Sequence, residues 1–198
     1  DADLPRITEV KVDVDLYPEE RRMAARGHYL LKNKTDKPID TLYMNLLPRV
    51  TVKTLGFRDH ERTLYDRKQG FSIYRLKQPL APGETMPFDF SLDVRNPGFT
   101  NGDSDTSLVG NGTFFNNREY FPAFGYDENR QLLDRNDRRK RKLPPVLRMA
   151  KVDDLFARRN TYIAKDSDWI AFETTVSTRP DQIAIAPGEL VGQWKENG

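Results

Sequence analysis

The sequence predicts an all-β chain: an antiparallel β-sandwich with one long irregular, short-helical insertion. Three observations lead there. Apolar residues recur at every second position in several segments, the pattern of half-buried strands. Clusters of Pro, Gly, Asn and Asp punctuate them. These turn signals return about every ten residues, the rhythm of a sandwich rather than of a βαβ fold.

The first strand is written in Val10, Val12, Val14 and Leu16, which alternate with Lys11, Asp13 and Asp15. Tyr17-Pro18-Glu19-Glu20 follows as a turn, since Pro presets φ at the second turn position. The chain returns through Gly27, Tyr29 and Leu31 to a polar turn, Asn33-Lys34-Thr35-Asp36-Lys37-Pro38. Residues 39–47 and 50–57 are further strand candidates. The clearest strand is Met86, Phe88, Phe90, Leu92 and Val94, with Asp89, Ser91 and Asp93 on its other face. Leu80-Ala81-Pro82-Gly83-Glu84 precedes it as a tight turn, and Asn96-Pro97-Gly98 ends it. Ile170, Phe172, Thr174 and Val176 repeat the alternation, and strands are expected again over 183–185 and 190–194.

Two stretches break the rhythm. Residues 96–117, rich in Gly, Asn, Asp, Ser and Thr, read as a long loop. Residues 135–159 are more helical in composition. A short helix is expected over 153–159, with acidic residues early and Arg158 and Arg159 late, as the helix dipole favours. The chain opens Asp-Ala-Asp-Leu-Pro without an initiator Met, and so reads as processed or excised. It closes on Asn197-Gly198, a strong hairpin signal whose second strand is expected to follow.

Composition narrows the chemistry. Lys and Arg number 32 against 30 Asp and Glu, a net charge of +2 with no global field toward nucleic acid. There is no cysteine, which excludes disulfides, zinc–thiolate sites and thiol nucleophiles. No apolar run approaches the roughly 18 residues of a spanning helix. A zinc peptidase of the H-E-x-x-H type needs two His one helical turn apart with Glu as base. Here there are only His28 and His60, which read as incidental residues on a strand and a loop. No G-x-S-x-G elbow or phosphate-binding glycine motif occurs. The chain thus offers no catalytic residue and no metal ligand set of its own.

Two clusters stand out. Residues 135–142, Arg-Asn-Asp-Arg-Arg-Lys-Arg-Lys, form the densest charge run. Such runs can bind phosphates or anionic lipid, but this one lacks the interleaved aromatics of nucleic-acid readers and reads as a solvated loop. Residues 113–128 carry Phe114, Phe115, Tyr120, Phe121, Phe124 and Tyr126 among carboxamides and charges. They read either as a core-lining segment or as a recognition edge, where amphipathic aromatics are enriched.

This second stretch resembles the N-terminal domain of aminopeptidase N-like zinc metallopeptidases. There a segment of the form T-Q-x-E…A-R-x-x-F-P-C-x-D-E-P closes the sandwich. Thr113, Arg118 and Phe121-Pro122-Ala123 look like a shortened version, with Ala123 in place of the Cys and Phe114 in place of the Gln. Other pieces fall in family order: Ala25-Arg26-Gly27-His28-Tyr29, Asp40-Thr41-Leu42-Tyr43-Met44-Asn45-Leu46, the Leu80–Glu84 turn, Phe172-Glu173-Thr174-Thr175-Val176 and Ile185-Ala186-Pro187-Gly188-Glu189-Leu190-Val191.

The resemblance implies a single saddle-like β-sandwich accessory domain over 1–198, truncated before a catalytic domain that would hold the zinc, with no cofactor in this chain. Its partners would be that catalytic domain and the peptide substrate, with no nucleic acid. Asn116 and Asn117 are the expected substrate-binding residues, supplying the carboxamide that Phe114 cannot. The likeness is nearest to a bacterial form joined to an ABC-type permease, which implies a membrane-anchored parent on the extracytoplasmic face. The alternatives are a non-catalytic extracytoplasmic domain of a transporter-linked protein, or a stand-alone β-sandwich binding module.

Overall fold

The computed structural model describes residues 2–98, 106–125, 127, 132–146, 151–155 and 169–195. The chain divides into two compact units, Asp1–Gly125 with Ile170–Gly198, and Tyr126–Trp169. The first contains every strand found among the described residues. In chain order these are β1 (Arg6–Tyr17), β2 (Arg22–Lys32), β3 (Ile39–Asn45), β4 (Thr51–Phe57), β5 (His60–Asp66), β6 (Phe71–Leu80), β7 (Thr85–Arg95), the short β8 (Leu108–Val109), β9 (Gly112–Thr113) and β10 (Ala123–Phe124), and β11 (Ala171–Ser177). One sheet has the order β11-β1-β2-β7-β4, the other β10-β3-β6-β5, and β8 and β9 form a small hairpin.

The period-two pattern decides which face is dry. Val10, Val12 and Val14 of β1, Met23, Ala25, Tyr29 and Leu31 of β2, and Met86 through Val94 at alternate positions of β7 are buried. They join Ile39, Leu42 and Met44 of β3 and Tyr74, Leu76 and Leu80 of β6 in one core. The inner faces meet through aromatic rings. Phe57 of β4 lies edge-on to Tyr74 at 5.3 Å, and Phe88 of β7 edge-on to Phe124 of β10 at 5.0 Å. The all-β sandwich is therefore present.

Phe90 lies directly across from Gly27 in the β2–β7 ladder. Its ring lies on the backbone there, so that a Cβ on Gly27 would stand 2.0 Å from the ring tip. Tyr29 meets the same ring edge-on at 4.9 Å. Glycine at 27 is thus the space that the Phe90 ring fills.

Turns match their residues. Ala81-Pro82-Gly83-Glu84 closes with Glu84 N donating to Ala81 O at 3.0 Å, and Gly83 has φ +79°, as the third position of a type II turn requires. The Glu84 carboxylate accepts from the Ala81 N–H at 2.8 Å and pairs with Arg58. Asn33 is fully buried. Its amide donates to Lys37 O at 2.7 Å and Leu80 O at 2.8 Å, while its oxygen accepts from the Thr35 N–H and hydroxyl. Between β1 and β2 the expected turn is a 3-10 turn, Pro18–Glu20, ended by Arg21 in the left-handed region.

Several expectations are corrected. β11 runs parallel to β1, from Glu9↔Ala171 to Asp15↔Ser177, so the sandwich is not wholly antiparallel. A parallel pair cannot be closed by a hairpin, and all of β2 to β10 lies between these two strands in the chain. Residues 183–185 and 190–194 form no strand, and Val191 is 100% exposed. Their alternation has no partner ladder among the described residues, and alternation alone does not make a strand. β5 and β6 are strands that the alternation did not single out, because β5 is an exposed edge whose two faces are both polar-rich. Part of the expected 96–117 loop is the β8–β9 hairpin, with Leu108 buried.

Within the stretch 135–159, read as more helical, the basic run expected as a loop contains a helix, α2 (Arg135–Lys140), while residues 153–155, the described part of the expected 153–159 helix, are not helical. Asp134 caps it, accepting from the Asn136 and Asp137 N–H groups, and basic residues fill its last turn. Residues 99–105, 156–159, Tyr126, Glu128 and the Asn197-Gly198 hairpin signal lie outside the described residues.

Two predictions follow from the core and the turn. Phe90→Ala should cost about 3–5 kcal/mol in denaturant titration, and Gly27→Ala about 1–3 kcal/mol. The combined variant should lose less than the sum, because the added methyl then meets space rather than a ring; strict additivity would separate the two sites. Hydrogen bonding to Arg58, then to the Ala81 N–H, holds the Glu84 carboxyl below its ordinary value of 4.5. A carboxyl depressed in the folded state stabilises above its unfolded pKa, and that contribution fades as pH falls through the folded value. Glu84→Gln should therefore lower the Tm at neutral pH, with the difference from the parent shrinking as pH falls below the ordinary carboxyl value. A difference independent of pH would show that the charge is not what matters.

Candidate functional site

The aromatic stretch 113–125 begins at the β9 end and enters a four-residue helix, α1 (Asn117–Tyr120). The helix forms because Asn116 and Glu119 make a reciprocal capping box. The Asn116 side-chain oxygen accepts from the Arg118 N–H at 3.0 Å, and its NH₂ donates to Glu119 at 3.2 Å. The Asn116 N–H donates to the other Glu119 oxygen, also at 3.2 Å. Phe121 is extended and Pro122 follows, which ends the helix.

Core lining and exposed edge divide the stretch between them. Tyr120 and Phe121 are buried, and Phe115 packs edge-on to both, at 5.1 and 6.0 Å. Phe121 reaches Phe90 at 6.0 Å, and the Tyr120 hydroxyl bonds Ser107 while the Arg49 guanidinium lies over its ring. β10 then pairs with β3, and Asn45 donates to Gly125 O at 2.6 Å. These contacts sew the segment to both sheets. What remains outward is Phe114, 86% exposed, with Asn116, Asn117 and Arg118.

Structure thus places both sequence-selected carboxamides at one exposed helix start, with unequal freedom. Asn116 is engaged in the cap, whereas Asn117 is the first helical residue and exposed. This helix is not among the expected elements, although Asn116 with Glu119 three positions later is the capping signature that marks one.

The outer face of the five-stranded sheet carries a second feature, a shallow depression of about 390 Å³ lined by Lys11, Asp13, Arg26, His28, Thr54, Asp89 and Ser91 beside Gly27 and Phe90. His28 and Asp89 are cross-strand partners, with Nδ1 2.7 Å from the carboxylate. Lys11 stands opposite His28 on the other side and pairs with Glu9 at 3.0 Å. The Glu9 hydrogen bond, with the charges of Glu9 and Glu173, holds the Lys11 ammonium above its ordinary value. Ser91 makes no hydrogen bond to His28, so these residues do not form an activated nucleophile. Cross-strand charge pairing accounts for them.

His60, expected on a loop, begins β5 instead, stacked on Phe57 at 3.7 Å and edge-on to Tyr74. Among the described residues no three His, Asp or Glu side chains gather to hold a metal ion.

No family model matches the chain, and no curated protein does. Its neighbours among solved structures are M1 zinc metallopeptidases. One, from Deinococcus radiodurans, is 14% identical over 50% of this chain and 25% of its own, with a TM-score of 0.38. A mutant M1 zinc metallopeptidase from the same organism, bound to a Tyr-Ser-Ala substrate, gives the same identity and TM-score, covering 50% of this chain and 22% of that one. A two-domain M1 zinc metallopeptidase mutant bound to L-tryptophan is 13% identical over 58% of this chain and 30% of that chain, with a TM-score of 0.38. The chain thus spans less than a third of the length of these structures. No described helix is long and apolar enough to cross a membrane.

The capping geometry separates two neighbouring residues of one type. Asn116→Ala should destabilise by about 0.5–2 kcal/mol, the cost of a lost cap. Asn117→Ala should stay within about 0.5 kcal/mol, as exposed substitutions do. Equal losses in chemical denaturation would contradict the assignment of the cap to Asn116.

Proposed function

We propose that this chain is the non-catalytic N-terminal β-sandwich domain of an M1-type zinc aminopeptidase. It packs on a catalytic domain that carries the zinc, and it shapes the cleft that receives peptide N-termini. The supporting observation is the stretch 113–125. The Thr113…Arg118…Phe121-Pro122 series, which resembles the family's closing segment, is anchored to both sheets by its aromatic residues. It turns a short exposed edge of Phe114, Asn116 and Asn117 away from that core. The other motifs of the resemblance support the same reading: the Gly27 strand, the Ala81–Glu84 turn and the β11 alternation fall in order along the sandwich.

On this reading Asn116 and Asn117 form part of the cleft rim. Asn117 presents its carboxamide oxygen to the substrate ammonium group, and Asn116 holds the rim in shape through the cap. A carboxamide can accept from an ammonium while its NH₂ donates to a nearby carboxylate. The zinc and its general base belong to the catalytic domain, and no step of hydrolysis falls to the residues described above.

The test uses the natural full-length protein. It should bind zinc and release amino-terminal residues from peptides. Asn116→Ala with Asn117→Ala should lower kcat/KM for free-amine peptides by about ten- to a hundredfold, the loss of one hydrogen bond to a charged group. Amino-blocked peptides should be affected less. An unchanged kcat/KM in a folded double variant would remove both residues from recognition, and a full-length protein without zinc or an H-E-x-x-H helix would overturn the whole reading.

A further inference from the structure

The unit Tyr126–Trp169 contains a surface that the sandwich does not need. Its helix α2 and the two residues after it hold Arg135, Arg138, Arg139, Lys140, Arg141 and Lys142 against only Asp137 within the run and Asp134 at the cap. Arg138 is engaged internally. Its guanidinium donates to Leu132 O at 2.8 Å and to Pro144 O at 2.6 and 2.8 Å, tying together the two chain segments that flank the helix. Lys140 reaches Asp137 at 3.4 Å. Arg135, Arg139, Arg141 and Lys142 are exposed and have no ion-pair partner among the described residues. Four unpaired cations are thus displayed on a short, internally braced support.

Apolar side chains flank them. Leu133 and Leu143, on the two segments tied by Arg138, are both exposed. In the same compact unit Val152 is 90% exposed and Leu155 is exposed too. Nucleic-acid grooves place stacking aromatics among their cations, whereas the residues that flank α2 on the two segments tied by Arg138, Leu133 and Leu143, are aliphatic. Cations with adjacent aliphatic side chains match a bilayer interface, where Lys and Arg meet anionic headgroups and leucines enter the acyl boundary.

We propose that this surface docks on a membrane leaflet rich in anionic lipid headgroups. The cations supply attraction that salt screens, and Leu133 and Leu143 supply a shallow apolar foothold. The inference is independent of the peptidase reading, because it uses no residue of the 113–125 stretch.

Co-flotation of the full chain with vesicles tests it. The chain should float with vesicles of phosphatidylcholine and phosphatidylserine, and not with phosphatidylcholine alone, with binding falling as salt rises. Arg139→Glu with Arg141→Glu and Lys142→Glu should reduce binding at least about tenfold, since each basic residue near the surface contributes. Arg139→Lys with Arg141→Lys should retain it, because charge rather than shape is read. Leu133→Ser with Leu143→Ser should weaken it at unchanged net charge. All these residues are exposed, and Arg138 is left intact, so circular dichroism and Tm should match the parent. The proposal is overturned if the parent fails to float with phosphatidylserine vesicles or if the charge-reversed variant binds equally. Tighter binding to duplex DNA than to those vesicles would overturn it as well.

Discussion

The sandwich depends on the inner face of β7. That strand is hydrogen-bonded on both sides, to β2 and to β4, and it turns Met86, Phe88, Phe90, Leu92 and Val94 into the core. Phe88 meets Phe57, Tyr29 and Phe124, and Phe90 meets Tyr29 and Phe121. Neighbouring strands and the aromatic segment are therefore positioned against the same two rings. Side chains alternate with period two, so a one-residue slip of β7 would send all five core residues to water and Asp89, Ser91 and Asp93 inward. Gly27 sharpens that register, because only its position leaves room for the Phe90 ring. Dense aromatic contact on one strand thus does for this cysteine-free chain what staples do elsewhere.

Polar residues complete the corners. Asn33 satisfies each of its side-chain hydrogen-bonding groups while wholly buried, and its backbone bonds Glu84 O and Gly83 N. One side chain and its own backbone join the exit of β2, the end of β6 and the entry to β7. A buried carboxamide is tolerated only when satisfied in this way. Arg179 plays a comparable part at the surface, pairing with Glu19 of the 3-10 turn and with Asp181. It ties the segment after β11 to the β1–β2 corner, an exposed linkage that geometry, more than energy, makes useful.

Much of this was legible in the residues. Alternation located β1, β2, β7 and β11, because each has one wet and one dry face. It failed at 183–185 and 190–194, where Ile183, Ile185 and Leu190 alternate yet remain exposed: periodicity records what a strand could bury, not whether a partner exists. It passed over β5, whose pairing with β6 is set by tertiary contacts rather than by a clean pattern. Composition marked 135–159 as more helical, and α2 formed inside that stretch where Asp134 could cap it. At the candidate site, sequence located Asn116 and Asn117, but the three-dimensional cap distinguishes them, and the pairing of His28 with Asp89 emerges only from the β2–β7 register.

The parallel partnership of β1 and β11 has a consequence for how the chain is made. Thr174 bonds the carbonyl of Val12 across a separation of 162 positions, and β11 is the last of the described strands. On the ribosome, β1 and β2 can pair as soon as both emerge, and β7 can join them later. The free side of β1 must then wait until β11 emerges before its neighbour exists. Closing so long a loop carries a large entropic cost before any contact rewards it. For that interval the edge of β1 is an open template, available to the same strand of another nascent copy. Lys11, Asp13 and Asp15 keep the outer face of that waiting strand charged, one of the ways sheet edges are blunted.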